Sequence, residues 1–272
     1  MSPSKPPLPP YILISKRFKT YDKTIRDIWE AYHFHSFYLP VLHDLIKKEN
    51  VPALELPALG GPKVHVQKRN NTLGAISHIL AKVSPQRSLI VAVSQSEAFL
   101  QYLAVRVFRD FPGRLLGGGD TDQRAREMKL LEVMVKSASR AEMLDKVIEE
   151  RVRGIFYGAP SDFFLKDKAK LGFGDHFSTN CPDAVNKFVE LCARRNVLIH
   201  NDGKVDRKYL REAPGSTFKL HETISVDEPY LREALLTLRG LCAAAGVLVC
   251  ERVYSDAVPS GRMLQRYKTF EP

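Results

Sequence analysis

Within six residues the chain carries an arginine, an asparagine and a histidine, in the stretch Arg195-Asn196-Val197-Leu198-Ile199-His200. An imidazole titrating near neutrality takes and returns a proton, a guanidinium holds an anion, and an amide both donates and accepts hydrogen bonds. The run upstream, from Pro182, has a helical apolar period, and Asn201-Asp202-Gly203 offers the turn residues that end a helix. At about 100° per residue, Val185, Phe188, Cys192 and Ile199 gather on one face, with Arg195 inside that stripe. Asn196 and His200 follow its edge, four residues apart and therefore one above the other. These groups are expected on the last turn of a helix, turned toward a core.

A guanidinium on an apolar stripe is costly unless it is paired or wet. The run Gln86 to Phe111 is apolar almost all the way round, as a central helix would be. Ile90, Val93, Leu100, Ala104 and Phe108 share one of its faces, and Glu97 falls in the middle. Two opposite charges, each directed inward from a core helix, are tolerated mainly if they meet. Glu97 and Arg195 are therefore expected to be close in space.

Arg195-Asn196, three residues, then His200 resembles the motif of the HEPN superfamily, small helical domains whose ribonuclease members carry Arg, four to six residues, then His. The resemblance extends over residues 86–253 and implies an all-α, HEPN-like helical bundle. It further implies a metal-independent endoribonuclease with Arg195, Asn196 and His200 as catalytic residues and Glu97 in support. The products would end in a 2′,3′-cyclic phosphate and a 5′-hydroxyl, with no metal or other cofactor. Such families pair two motifs across a homodimer, and the activity often serves as a toxin or in phage defence.

The chemistry is consistent with that implication. Cleaving an RNA backbone needs a base for the ribose 2′-hydroxyl, an acid for the leaving oxygen and a cation for the phosphoryl charge. One histidine cannot comfortably be both base and acid. His176 and His221 are expected in loops with no evident orienting partner, so a second His200 from a symmetric partner is the natural complement. One version of the motif has a Tyr two residues after the His, the target of a nucleotidyltransferase antitoxin. Asp202 stands there in this chain, which puts that form of control in doubt and leaves any antitoxin or regulatory partner open.

Other readings stand beside this one. Arg195, Asn196 and His200 also suit a buried polar network that caps the helix, in a non-catalytic HEPN-like interaction or dimerisation module. A DNA-binding regulator rests only on charge. The 272 residues carry a formal net charge of +10, which favours polyanionic partners. Lys204, Arg207, Lys208 and Arg211, together with Lys166, Lys168 and Lys170, are candidates to follow an RNA backbone, with Tyr209 and Phe173 as candidates to stack bases. Solvated surface and core aromatics are the competing fates.

No metal is expected at His33-Phe34-His35, because residues two apart point to nearly opposite sides of a helix. Gly117-Gly118-Gly119-Asp120 lacks the Lys-Ser/Thr of a phosphate loop. Four cysteines with no C-x-x-C pair read as reduced thiols. With no apolar run approaching ~20 residues and no signal-peptide core, the expectation is a cytoplasmic protein with no membrane partner.

The elements that must position the site divide the chain into three. Residues 1–85 are expected to hold a proline-rich extended tail to Pro10, a short strand or docked segment at Tyr11–Phe18, and a docking helix over 22–48 that Pro40 bends or splits. A loop with a short extended piece follows at 50–70, then a helix over 72–83 that Ser84-Pro85 ends. Residues 86–253 form the helical domain, with charged surface helices at 121–137 and 140–153, the second opened by a Ser139/Glu142 capping box. It continues with the motif helix, a basic short helix or turn at 204–211 and a last long helix over 227–253. Residues 254–272 are expected to be a basic tail.

Overall fold

The computed structural model describes residues 8–49, 51–115 and 139–270. The expected helix at 121–137, the triple glycine and most of the proline-rich opening lie outside the described residues. The protein is mostly all-α, with one small two-stranded sheet.

Helix α1 spans Pro10–Lys47, so Tyr11–Phe18 is helical and not a strand. Ile14, Phe18, Tyr21, Ile25 and Tyr32 recur at helical spacing and are buried. Pro10 suits a first turn, where a missing N–H costs nothing. The orphan N–H of Tyr11 is taken by the Asp256 carboxylate at 3.1 Å, a cap supplied from the far end of the chain. Pro40 does not end the helix; it is exposed, so water can meet the carbonyl it leaves unmatched.

Strands β1 (Glu55–Pro57) and β2 (Val64–Val66) pair antiparallel, Leu56 opposite His65. Helix α2, Arg69–His78, continues through a π-helical turn, Ile79–Val83, into α3, Ser84–Asp110. The expected stop at Ser84-Pro85, and with it the boundary after residue 85, therefore falls inside one continuous helical stretch. In the widened turn the Ser84 N–H reaches back five residues to the Ile79 carbonyl, directly ahead of the proline that lacks an N–H.

Helix α4 is Arg140–Phe156, and Ser139 Oγ accepts from the Glu142 N–H at 3.1 Å as its cap. It is only half a surface helix, because Ile148, Val152 and Ile155 are buried. Two short helices follow, α5 (Ser161–Leu165) and α6 (His176–Asn180), then α7 (Pro182–His200), α8 (Arg207–Glu212), α9 (Glu228–Leu248) and α10 (Arg262–Phe270). A π-helical turn, Val249–Val253, ends α9.

One hydrophobic core joins α1, α3, α7 and α9 and takes in Met263 of α10. The expected basic tail is thus a docked helix from Arg262 onward. Gly240 and Gly246 of α9 allow the close approach: a Cβ at Gly240 would overlap the Phe270 ring, and one at Gly246 would meet Met263 Sδ at 2.6 Å. Two helical stretches, Arg69–Asp110 and Glu228–Val253, are long and apolar enough to cross a membrane by length and composition, contrary to the expectation that no such run exists. Most of the second is buried inside the protein, and a core helix needs that composition equally.

Candidate functional site

Helix α7 is buried on two sides. Val185, Phe188, Leu191 and Cys192 enter the main core, whereas Ala193 and Val197 enter a second, smaller cluster with Val205, Tyr209, Ala213 and Ile224. The fully buried part of the main-core face ends at Cys192. Arg195 lies one turn further and is half-buried, and Ile199, expected on the core face, is 48% exposed. The last turn of α7 runs past the end of the core, and that overhang decides how open each site residue is.

Arg195 and Glu97 meet as a fork: Nη1 donates to Glu97 Oε2 and Nη2 to Oε1, each at 2.8 Å. Their side chains keep 18% and 21% of their exposure. Cys192 lies against the same carboxylate, its Sγ 3.7 Å from Glu97 Oε1. Burial first, and the Glu97 charge second, push the Cys192 thiol well above its ordinary pKa, which makes it a packing group and no nucleophile. Glu97→Ala is expected to cost about 2–3 kcal/mol, between the ~0–1 of an exposed pair and the ~3–5 of a sealed one. Chemical unfolding measures it, and a loss below about 1 kcal/mol would mean the fork is solvated.

Asn196 is half-buried and His200 is exposed at the end of the helix. Among the described residues neither side chain has a hydrogen-bond or ion-pair partner. The backbone beyond is held firmly. The N–H groups of Asn201 and Gly203 both reach the Val197 carbonyl, at 3.0 and 3.1 Å. Gly203, with φ +77°, takes the left-handed conformation that such a helix end requires. Residues 203–205 then bond to 221–224, through Ile224 N–H to Gly203 O at 2.8 Å and Val205 N–H to Glu222 O at 2.9 Å. The turn after His200 is pinned to the small cluster, so the imidazole projects from a rigid base.

Lys204, Arg207, Lys208 and Arg211 are all exposed around this end. Lys208 lies 3.9 Å from Glu212, whereas Lys204, Arg207 and Arg211 have no acidic partner among the described residues. The other basic run is engaged: Lys166 and Lys168 both bridge Asp162, at 3.1 and 2.6 Å. Tyr209 and Phe173 are core residues, 1% and 0% exposed, and are not available to stack bases. His176 is no loop residue; it begins α6, is buried, and its Nδ1 lies 3.1 Å from Asn180 Nδ2. His33 and His35 have separate partners, Glu228 at 4.0 Å and Ser84 Oγ at 2.9 Å.

Sequence reading missed two polar networks. Arg194, and not Arg195, is the deeply buried arginine of the motif helix, at 7% exposure. Its Nε donates to Glu190 Oε1 at 2.7 Å, its Nη1 to the Ser225 carbonyl at 2.8 Å, and its guanidinium lies 3.8 Å over the Tyr230 ring. The hydroxyls of Tyr209 and Tyr230 both donate to Glu190. Burial works against the Arg194 charge, but Tyr230 and Glu190 outweigh it and hold its pKa above the ordinary value. The one sequence signal was the i,i+4 spacing of Glu190 and Arg194. The second network surrounds Asp22, 1% exposed on α1, which accepts from Arg239 Nε and Nη2 at 2.9 and 2.7 Å and faces Arg262 and Arg266 of α10 at 3.6 and 3.5 Å. Both networks fasten helices together; in the second, Asp22 is buried while Arg262 and Arg266 reach it from more exposed positions, and Arg266 Nε makes no hydrogen bond of its own among the described residues.

No family model matches the chain, and no solved structure matches it. The chain is similar to the chaperone protein ClpB of Mycoplasmoides gallisepticum (strain R(low / passage 15 / clone 2)), 26% identical over 163 residues that cover 57% of this chain and 23% of the chaperone. It therefore spans less than a quarter of that protein's length, and at this identity the likeness assigns the chain to no family.

Proposed function

We propose that the protein is a metal-independent endoribonuclease of the HEPN type, acting as a homodimer on RNA. The observation that carries this reading is the exposed imidazole of His200, without a partner among the described residues and held on a rigid helix end one turn beyond Asn196. Arg195 is fixed beside them by Glu97, and the cations of Lys204, Arg207 and Arg211 stand ready for phosphate. In this mechanism one His200 withdraws the 2′-hydroxyl proton, the 2′-oxygen attacks phosphorus, and the His200 of the partner protonates the departing 5′-oxygen. Asn196 donates to a phosphoryl oxygen, and Arg195 contributes its positive field from the fork with Glu97.

A specific observation favours a second reading, a non-catalytic helical interaction module: both terminal nitrogens of Arg195 are committed to Glu97. Incubation of the purified protein with mixed RNA in excess EDTA separates the two. Fragments ending in 2′,3′-cyclic phosphate and 5′-hydroxyl are the expected result, and intact RNA, with or without added divalent ions, supports the module.

A further inference from the structure

The second half of α1 carries two apolar stripes on opposite sides. The inward side of the helix continues from Ile25 and Tyr32 through Leu39 and Ile46, which are half-buried. At about 100° per residue, Phe34, Phe37, Tyr38, Val41 and Leu45 lie on the far side, turned away from that core. They are 62%, 68%, 52%, 51% and 42% exposed. The spacing 34, 38, 41, 45 alternates four, three, four, which is the seam of a helix that packs along another helix. With an aromatic side chain burying 150–250 Å², this stripe presents on the order of 600 Å² of apolar surface, the upper end of what a monomer exposes and near the ~800 Å² per partner of a stable interface.

We infer that this outward stripe of α1 is the surface on which a second copy of the chain docks, with the two α1 helices antiparallel. Charge selects the occupant. Glu30 precedes the stripe and Lys48 follows it, both exposed and both on the stripe's side of the helix. An antiparallel copy sets Glu30 of each chain beside Lys48 of the other, twice over, about a two-fold axis near Tyr38; a parallel copy opposes like charges. The location also suits the site. His35, next to Phe34 in the chain but about 100° round the helix from it, bonds Ser84 at 2.9 Å, and Lys82 at the same junction lies 3.6 Å from Asp202, two residues past His200. The helix that carries the stripe is thus joined, through Ser84 and Lys82, to the turn after His200. This deepens the dimeric reading above by naming its surface.

The test uses the full chain in analytical ultracentrifugation. Wild type is expected to be a dimer at micromolar concentration, and Val41→Asp to dissociate at least about 30-fold more readily, as for a central anchor of an interface, while keeping its helical content because Val41 is exposed and outside the core. All four native cysteines are buried, so Tyr38→Cys adds an accessible thiol at the axis and is expected to form disulfide dimers under mild oxidation. Glu30→Cys mixed with Lys48→Cys is expected to cross-link, and Glu30→Cys alone is not; the reverse overturns the antiparallel arrangement. A monomeric wild type, or a Val41→Asp variant still dimeric, overturns the proposal. RNA cleavage is scored separately: a dimer lost in Val41→Asp with no cleavage by wild type leaves the surface standing and removes the nuclease, whereas cleavage by a monomeric wild type does the opposite.

Discussion

His200→Ala is expected to keep the fold and lose RNA cleavage by about 10²–10⁴-fold, the usual worth of a positioned proton-transfer group. The imidazole is exposed and bonds to no described residue, so its removal leaves no cavity and no stranded partner. A melting temperature within a degree or two of wild type, measured beside the cleavage assay, is part of the expectation. A variant that cleaves RNA normally would end the nuclease assignment. Excess His200→Ala chains mixed with wild type sharpen the result. If each site needs two histidines from two chains, activity per wild-type chain falls steeply; if it stays constant, one chain suffices.

Asp22→Asn is expected to cost about 3–5 kcal/mol of stability. The carboxylate is 1% exposed and faces Arg239, Arg262 and Arg266. Removing its charge leaves Arg239, largely buried between α1 and α9, with no counter-ion among the described residues, and loosens α10 from both. For a chain of this length such a loss lowers the melting temperature by roughly 6–20 °C. Arg262→Gln, at a more exposed position, is expected to cost about 1 kcal/mol or less. Equal effects from the two substitutions would mean that the cluster is wet, with its attraction spread over all three arginines.

Local signals in the chain specify the helical class, the central helix around Glu97, the motif helix ending at Asn201-Asp202-Gly203, and the contact between Glu97 and Arg195. These were legible because each rests on a local rule: a long apolar period, a turn residue that tolerates positive φ, and the cost of directing a lone charge inward. The start of α1 was not legible, because the carboxylate that caps it, Asp256, is 245 residues away. The passage of one helix through Pro85 needed a π turn that no single residue announces. Arg194 and Arg195 are adjacent, and only the second cluster packed against α7 decided which of them is buried. Tyr209 and Phe173 look the same in sequence whether they stack on a base or fill a core, and tertiary packing made both of them core. The exposure of His200 likewise depends on where the core stops along α7. Periodicity names the face a residue occupies; how far the neighbouring helices extend over that face is a property of the assembled protein alone.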